Sequence, residues 1–161
     1  MQNAKQTVPH FYLKTKVVAE EMVKARSIIN SETISNGNKV SFNDIVIKAV
    51  AIALKVVPEM NATWNTDSII QYNLADISVA VATKDGLFTP IIRSACTKTI
   101  SKISLEMKDF ISKARENQLM PEDYNGGSFS ISNLGMYNVN EFSAIINPPQ
   151  AGILAVGEIF D

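Results

Sequence analysis

Residues 126–157 read GGSFSISNLGMYNVNEFSAIINPPQAGILAVG, and the residues best suited to chemistry stand near the start of that stretch. A run that alternates apolar and hydroxyl positions (Phe129, Ser130, Ile131, Ser132) breaks at Asn133-Leu134-Gly135. It resumes after Pro148 and Pro149 as a small apolar strand from Ala151 to Val156. Two strands joined through Gly and Pro punctuation can hold a hydroxyl at a fixed point beside a narrow passage. The bland alternative is a strand-end serine that bonds backbone. His10 is the single histidine and the tempting general base, but such work needs hydrogen-bond reach to a substrate proton. Cys96 is the single cysteine, and in Ser-Ala-Cys-Thr no base is recognisable beside it, so it reads as a small buried hydrophobe rather than a nucleophile.

The totals exclude several classes. With 161 residues and 46% hydrophobic content, one domain with a real core is expected. Fifteen basic against sixteen acidic side chains, with neither sign in a block, leave no footprint for nucleic acid or an anionic membrane. A lone cysteine permits no internal disulfide, and without Cys/His spacing no metal framework is expected; a reducing compartment follows. The N-terminus lacks the apolar core of a secretory signal. The longest apolar run, Ile45 to Val57, is interrupted by Lys48 and Lys55 and falls short of the ~20 residues a bilayer needs. Walker and dinucleotide glycine patterns are missing.

The elements that must position Ser132 follow from periodicity. Val8 to Thr15 alternates and predicts a first strand. Val18, Met22, Ala25 and Ile29 share a helical face, with Glu20 and Glu21 in the first turn. Ile34 to Lys39 is a surface loop. A second helix starts at Ser41 or Phe42: Ser41 is the N-cap, Asp44 completes a capping box, and Val40 is set to staple against Ile45. Its apolar residues cover most of its circumference, which predicts burial on several sides; Pro58 ends it. Short strands follow at Ala62–Asn65, Ile69–Tyr72, Ile77–Ala82 and Leu87–Ile92, with turns at Thr66-Asp67-Ser68 and Lys84-Asp85-Gly86. A third helix over about Ser101–Asn117 turns Ile103, Met107, Phe110, Ile111 and Ala114 inward. That order predicts an α/β sandwich with a mixed sheet.

Six ordered blocks then resemble a known family. They are Val8-Pro9-His10-Phe11-Tyr12-Leu13, Val40-Ser41-Phe42-Asn43-Asp44, Pro58-Glu59-Met60-Asn61-Ala62, Asp76 to Ala82, Gly86 to Arg93, and the whole of Gly126 to Gly157. Together they resemble the catalytic domain of the dihydrolipoamide acyltransferase component of 2-oxo acid dehydrogenase complexes. The implied fold is a chloramphenicol acetyltransferase-like two-layer α/β sandwich with a mixed β-sheet. Ser-Asn-Leu-Gly at 132–135, followed by Ala-Ile-Ile-Asn-Pro-Pro-Gln, is more similar to the acetyl-transferring members than to the succinyl ones. The family's His-Arg-x-x-Asp-Gly motif does not occur in these 161 residues, so the chain is expected to be a C-terminally incomplete catalytic domain. Neither a lipoyl domain nor a peripheral-subunit-binding domain is expected within residues 1–161.

What the resemblance implies is an acetyl transfer between dihydrolipoamide and coenzyme A. The position matching the family's oxyanion-stabilising serine is Ser132. The general base is a motif histidine outside this chain and supplied by a neighbouring subunit, while His10 matches a family histidine that is structural or cofactor-lining. Leu87, Phe88, Thr89, Pro90 and Met136 are implied to line the channel for coenzyme A and the lipoyl arm, and Arg93 to meet a coenzyme A phosphate; without the resemblance they read as ordinary core, hairpin and strand-end residues. No metal is implied. The implied partners are a homotrimer assembling into a larger core, with pyruvate dehydrogenase and dihydrolipoamide dehydrogenase components bound through domains outside this chain, in bacterial cytoplasm or mitochondrial matrix. The alternatives are a catalytically silent fragment or assembly module, or a branched-chain or succinyl-type acyltransferase.

Overall fold

The computed structural model describes residues 2–32, 38–84 and 86–160. The elements in order are α1 (Gln2–Thr7), α2 (Glu20–Glu32), α3 (Phe42–Val56), β1 (Ala62–Asn65), β2 (Ser68–Gln71), β3 (Ile77–Val79), β4 (Val81–Thr83), β5 (Gly86–Phe88), β6 (Ile91–Ile92), α4 (Ile100–Arg115), α5 (Pro121–Tyr124), β7 (Phe129–Asn133) and β8 (Ile153–Val156). Four strands form the central sheet in the order β6-β3-β7-β8; β1 with β2 and β4 with β5 form two separate hairpins. Strand β7 runs parallel to both of its neighbours, whereas β6 is antiparallel to β3. The sheet is therefore mixed, as the element order predicts.

Side chains two apart on a strand share a face. Ile77, Val79, Ile92 and Ile131 all turn toward one side, where they join Ile47, Ala51 and Leu54 of α3 and Ile103 and Met107 of α4 in a single apolar core. The register sets Ser78 beside Ser130, and Ser132 beside Ala155, on the alternate positions. One face of the sheet is thus given to helix packing, and the other carries hydroxyls.

Helix α3 begins where its local chemistry dictates. The Ser41 hydroxyl accepts the Asp44 N–H at 3.2 Å, and the Asp44 carboxylate accepts the Ser41 N–H at 2.7 Å. This reciprocal pair satisfies donors that the first helical turn leaves without partners. Val40, just before the cap, is buried as the staple requires. Helix α4 is capped by Thr99, whose hydroxyl accepts the Lys102 N–H, and it buries Ile103, Met107 and Ala114 as its periodicity predicts, with Phe110 and Ile111 packed at the core's edge.

Several expectations are corrected. The hydrophobic coverage of α3 predicts enclosure on several sides, yet only the stripe Asp44, Ile47, Ala51 and Leu54 is buried, while Ile52 and Val56 are exposed. Helices α2 and α4 also pack against α3, but among the described residues nothing covers Ile52 and Val56. Helix α2 starts at Glu20, and polar groups secure it: Arg26 and Asn30 both donate to the Val40 carbonyl, and Asn30 accepts the Val40 N–H. The predicted strands Ile77–Ala82 and Leu87–Ile92 each divide in two, because β3 and β6 pair in the sheet while β4 and β5 leave it as a hairpin. The last strand begins at Ile153 rather than Ala151, and the short helices α1 and α5 carry no periodicity long enough to predict. Of the loop at 34–39 and the turn at 84–86, residues 34–37 and Asp85 lie outside the described residues.

The predicted first strand, Val8 to Thr15, is irregular extended chain. Its alternation is real, but Phe11 and Leu13 are 81% and 89% exposed, and no strand lies beside it to complete a ladder. Side chains anchor it instead. The Ile146 N–H donates to His10 Nε2 at 3.0 Å, which places the proton on Nδ1, 2.7 Å from the Val8 carbonyl. Lys14 pairs with Glu141 at 2.6 Å, and this contact holds the Glu141 carboxyl below its ordinary value. The pair is therefore complete at neutral pH and is lost as pH falls through that lowered value, but both partners are largely exposed and such pairs contribute little.

Two outcomes follow. Ser41→Ala should lower global stability by about 1 kcal/mol, seen as a shift in denaturant midpoint; an unmoved midpoint would remove the capping box from the account of where α3 starts. His10→Ala should make residues 8–19 markedly more sensitive to limited proteolysis, whereas Lys14→Ala should leave the cleavage rate nearly unchanged. Equal effects would mean that the ion pair, and not the imidazole, holds this segment.

Candidate active site

Three serines stand at alternate positions entering and along β7, and the structure gives them different fates. Ser128 is buried; its hydroxyl accepts the Asp76 N–H at 3.2 Å and lies 3.3 Å from the Asp76 carbonyl. Ser130 is buried and donates to Gln150 Oε1. Ser132 is only half-buried, and among the described residues its hydroxyl makes no hydrogen bond. A pleated strand carries all three toward one side of the sheet, so Ser132 is the last in a row of hydroxyls and the one left free to meet something else.

The chain around Ser132 is tightly determined. Its strand ends where the Leu134 N–H donates to the Val156 carbonyl at 3.0 Å. The next side chain, Asn133, accepts the Gly135 N–H at 2.9 Å and donates to Asn43 Oδ1 in the first turn of α3 at 3.2 Å. The carboxamide therefore closes a local turn and fastens it to a helix end. The turn Gly135–Tyr137 then crosses the segment after β8 at backbone contact. A Cβ on Gly135 would lie 2.7 Å from the Gly157 carbonyl oxygen, and one on Gly157 would lie 2.0 Å from that of Asn140. Only glycine fits at either side of this crossing.

The remaining predicted site residues fall into two groups. Met136 follows Ser132 in the Gly135–Tyr137 turn and is 78% exposed. The Pro90 carbonyl accepts the Val79 N–H, while the Ile131 carbonyl accepts the Ala80 N–H, so the backbone of Pro90 lies at the level of the Ser132 end of β7. Its ring, however, is fully buried and offers no surface to a passage. Leu87 is exposed, and Phe88 and Thr89 are half-buried. Phe88 meets the ring of Tyr124 edge-on at 6.1 Å and borders a cavity of about 250 Å³ with Ala114, Asn117 and Leu119. Arg93 lies past Ile92, which is level with Phe129, at the opposite end of β7 from Ser132. Its guanidinium faces Asp76 at 3.4 Å and donates to the carbonyls of Glu122 and Asn125 around α5. The Pro90 backbone thus reaches the level of the Ser132 end of β7, whereas the Phe88 ring and Arg93 converge on α5. Among the described residues no hydrogen bond, ion pair or ring contact joins those two to Ser132 or Met136.

His10 and Cys96 are both engaged in structural contacts. Both ring nitrogens of His10 are engaged by backbone, with Nε2 acting as an acceptor. Cys96 sits in the turn Ala95–Thr97 and packs on the core, while its carbonyl accepts Lys48 Nζ at 2.7 Å. Among the described residues no group of three or more His, Cys, Asp and Glu side chains is placed to hold a metal ion, and no helix is long and apolar enough to cross a membrane.

Two supporting residues escape sequence reasoning. Asp76 receives the Ser94 N–H at 2.6 Å as well as Arg93, and Gln150 is 5% exposed between β3 and β7. Gln150 had a readable signal, a polar residue set between Pro149 and an apolar strand, where burial obliges it to find partners.

Residues 1–161 match the family described as 2-oxoacid dehydrogenases acyltransferase (catalytic domain). Among curated relatives, the dihydrolipoyllysine-residue acetyltransferase component of pyruvate dehydrogenase complex from Rickettsia bellii is 53% identical over 155 residues, covering 96% of this chain and 37% of that protein. The chain spans little more than a third of the length of the curated relatives it matches most strongly, 35% and 37% for two of them. Among solved structures, a probable dihydrolipoamide acetyltransferase from Listeria monocytogenes has a TM-score of 0.92 at 36% identity, covering 99% of this chain and 68% of that one. The dihydrolipoamide acetyltransferase of Azotobacter vinelandii has a TM-score of 0.94 at 28% identity, covering 98% and 65%. The matches extend over nearly the whole chain, and the chain belongs to the family of 2-oxoacid dehydrogenase acyltransferase catalytic domains.

Proposed function

We propose that residues 1–161 form part of one acyltransferase catalytic domain that moves an acetyl group between dihydrolipoamide and coenzyme A within a pyruvate dehydrogenase complex. One observation carries the site: of the hydroxyls at 128, 130 and 132, only that of Ser132 is unspent and within reach of solvent. The relatives' designation as acetyltransferase components of that complex supports the choice of acyl group and partners. The Azotobacter vinelandii structure concerns a serine, a histidine and an asparagine in that enzyme's catalytic mechanism, which supports a serine taking part in catalysis.

In the proposed reaction the thiol of coenzyme A loses its proton to a base, and the thiolate sulfur attacks the carbonyl carbon of S-acetyl-dihydrolipoamide. The carbonyl π electrons move onto oxygen, and the Ser132 O–H donates a hydrogen bond to that oxyanion. Collapse reforms the carbonyl and expels the dihydrolipoamide sulfur, which takes up the proton. Ser132 begins and ends protonated, and it acts because its bond to an anion is stronger than its bond to the ground-state carbonyl. His10 is committed to backbone through both nitrogens, and the base that the family resemblance implies is a motif histidine of a neighbouring copy. Leu87, Phe88, Thr89 and Met136 supply apolar surface for the pantetheine and lipoyl arms. The buried Pro90 ring and the Asp76-held Arg93 support that surface from behind instead of touching substrate. The lipoyl arm reaches the site from a separate domain, and the compartment is that of the complex, bacterial cytoplasm or mitochondrial matrix.

A second reading, an assembly module silent in isolation, is favoured by the apolar side chains this chain leaves uncovered. Phe11, Leu13, Val17, Val18 and Val56 are all more than 75% exposed, well beyond scattered single residues.

In a chain extended to the full catalytic domain, Ser132→Ala should lower kcat by about a hundred- to a thousandfold, the usual cost of one oxyanion donor, with the KM for coenzyme A little changed. Unchanged kcat would remove Ser132 from the mechanism. The 161-residue chain alone should turn over at least about a hundredfold more slowly than the extended one, since the base proposed here is the family's motif histidine, which does not occur among these 161 residues. Equal rates would mean that the base lies within residues 1–161.

A further inference from the structure

Gln150 has no part in the chemistry above, yet it is a buried polar side chain with partners on two strands of the sheet. Its side chain is 5% exposed and lies against the same sheet face as Ser132. Nε2 donates to Ser78 Oγ at 3.1 Å and points to the Gly126 carbonyl at 3.4 Å. A carbonyl oxygen can only accept, so the amide orientation is determined: Oε1 must face Ser130, and the Ser130 hydroxyl must donate to it. One carboxamide thus bridges β3, through Ser78, and β7, through Ser130, two residues before Ser132. Room for it is made by Gly127, which sits at φ +83° and where a Cβ would fall 3.0 Å from Nε2 and 2.2 Å from Ser78 Oγ.

The backbone of Gln150 is tied in as well. Its N–H donates to the Asn147 carbonyl at 3.1 Å. On either side of it, the Trp64 N–H donates to the Pro149 carbonyl at 2.8 Å and the Ala151 N–H to the Ala62 carbonyl at 3.1 Å. The residue therefore joins the β1–β2 hairpin, the connection into β8 and the centre of the sheet at one point.

We infer that Gln150 is a positioning residue for acyl transfer: its carboxamide sets the rise and lateral place of β7 relative to β3 and so fixes where the Ser132 hydroxyl stands. Two consequences separate this from general stabilisation. The Gln150–Ser130 bond consumes a hydroxyl one pleat below Ser132, which leaves Ser132 as the single free donor of the row. The bond also ends on β7 itself, at Ser130, so its loss is felt as displacement of Ser132 before it is felt elsewhere. A shift of about an ångström in a group that must meet a developing charge costs as much as a hundredfold in rate. The inference rests on Ser132 as the oxyanion donor.

The test is a double-mutant cycle in the full catalytic domain, assembled and assayed for acetyl transfer between dihydrolipoamide and coenzyme A. Gln150→Ala should lower kcat by about ten- to a hundredfold with the KM for coenzyme A unchanged, and should lower it no further once Ser132→Ala is present. Ser130→Ala removes the same hydrogen bond with a smaller loss of packing, and it should behave in the same way, so it decides the question where Gln150→Ala does not fold. A penalty of the same size with and without Ser132 would overturn the inference while leaving Ser132 in place. A Ser132→Ala enzyme as fast as the parent would instead overturn the reading beneath it.

Discussion

The parallel pairing of β7 between β3 and β8 is the constraint from which the rest of the structure follows. A central strand has no edge to yield, and at its middle Ser130 and Ile131 have a fixed partner on both sides. Because side chains alternate, Phe129 and Ile131 are committed to the apolar layer beneath the helices, which forces Ser128, Ser130 and Ser132 to the other side. A slip of one residue would place three hydroxyls in the core and a phenyl ring and an isoleucine among polar partners. Unpaired buried hydroxyls and lost apolar burial together would cost several kcal/mol, a large part of any domain's stability. The core therefore holds the register, and the register holds the site.

Much of this was legible in the residues themselves. The Ser41/Asp44 capping box, the inward stripe of α4 and the alternation of β7 are short-range patterns whose physics is complete within a few positions, and each stands where those patterns place it. The misreadings share one cause. Val8 to Thr15 alternates as a strand does, but a strand exists only if another lies beside it. The apolar circumference of α3 predicts enclosure, but enclosure needs a second surface. Local sequence reports what a segment is suited to and is silent on whether the partner is supplied.

The candidate site was legible to a similar depth. Ser132 emerged because a hydroxyl at the end of an alternating run is a local signal, and the family resemblance gave it a role. The supporting groups were not visible, because Gln150 and Asn133 act across 20 and 90 residues of chain, on Ser130 and Asn43 respectively. Arg93 is a further case. A basic residue at a strand end invites an anionic partner, and here Asp76 and two carbonyls around α5, up to 32 residues away in the chain, meet it.

The crossing of Gly135 with Gly157 gives the site an asymmetric rim. Where two backbones touch without a Cβ between them, there are no rotamers to exchange, so that margin cannot adapt by side-chain rearrangement. The neighbouring margin is formed by Met136, an unbranched and well-exposed thioether chain that can take up many shapes. On the proposed reading, an incoming molecule would be gauged against a rigid ruler on one flank and cushioned on the other, so that tolerance for varied bulk would reside in one pliable side chain while the reacting carbonyl kept its height above β7.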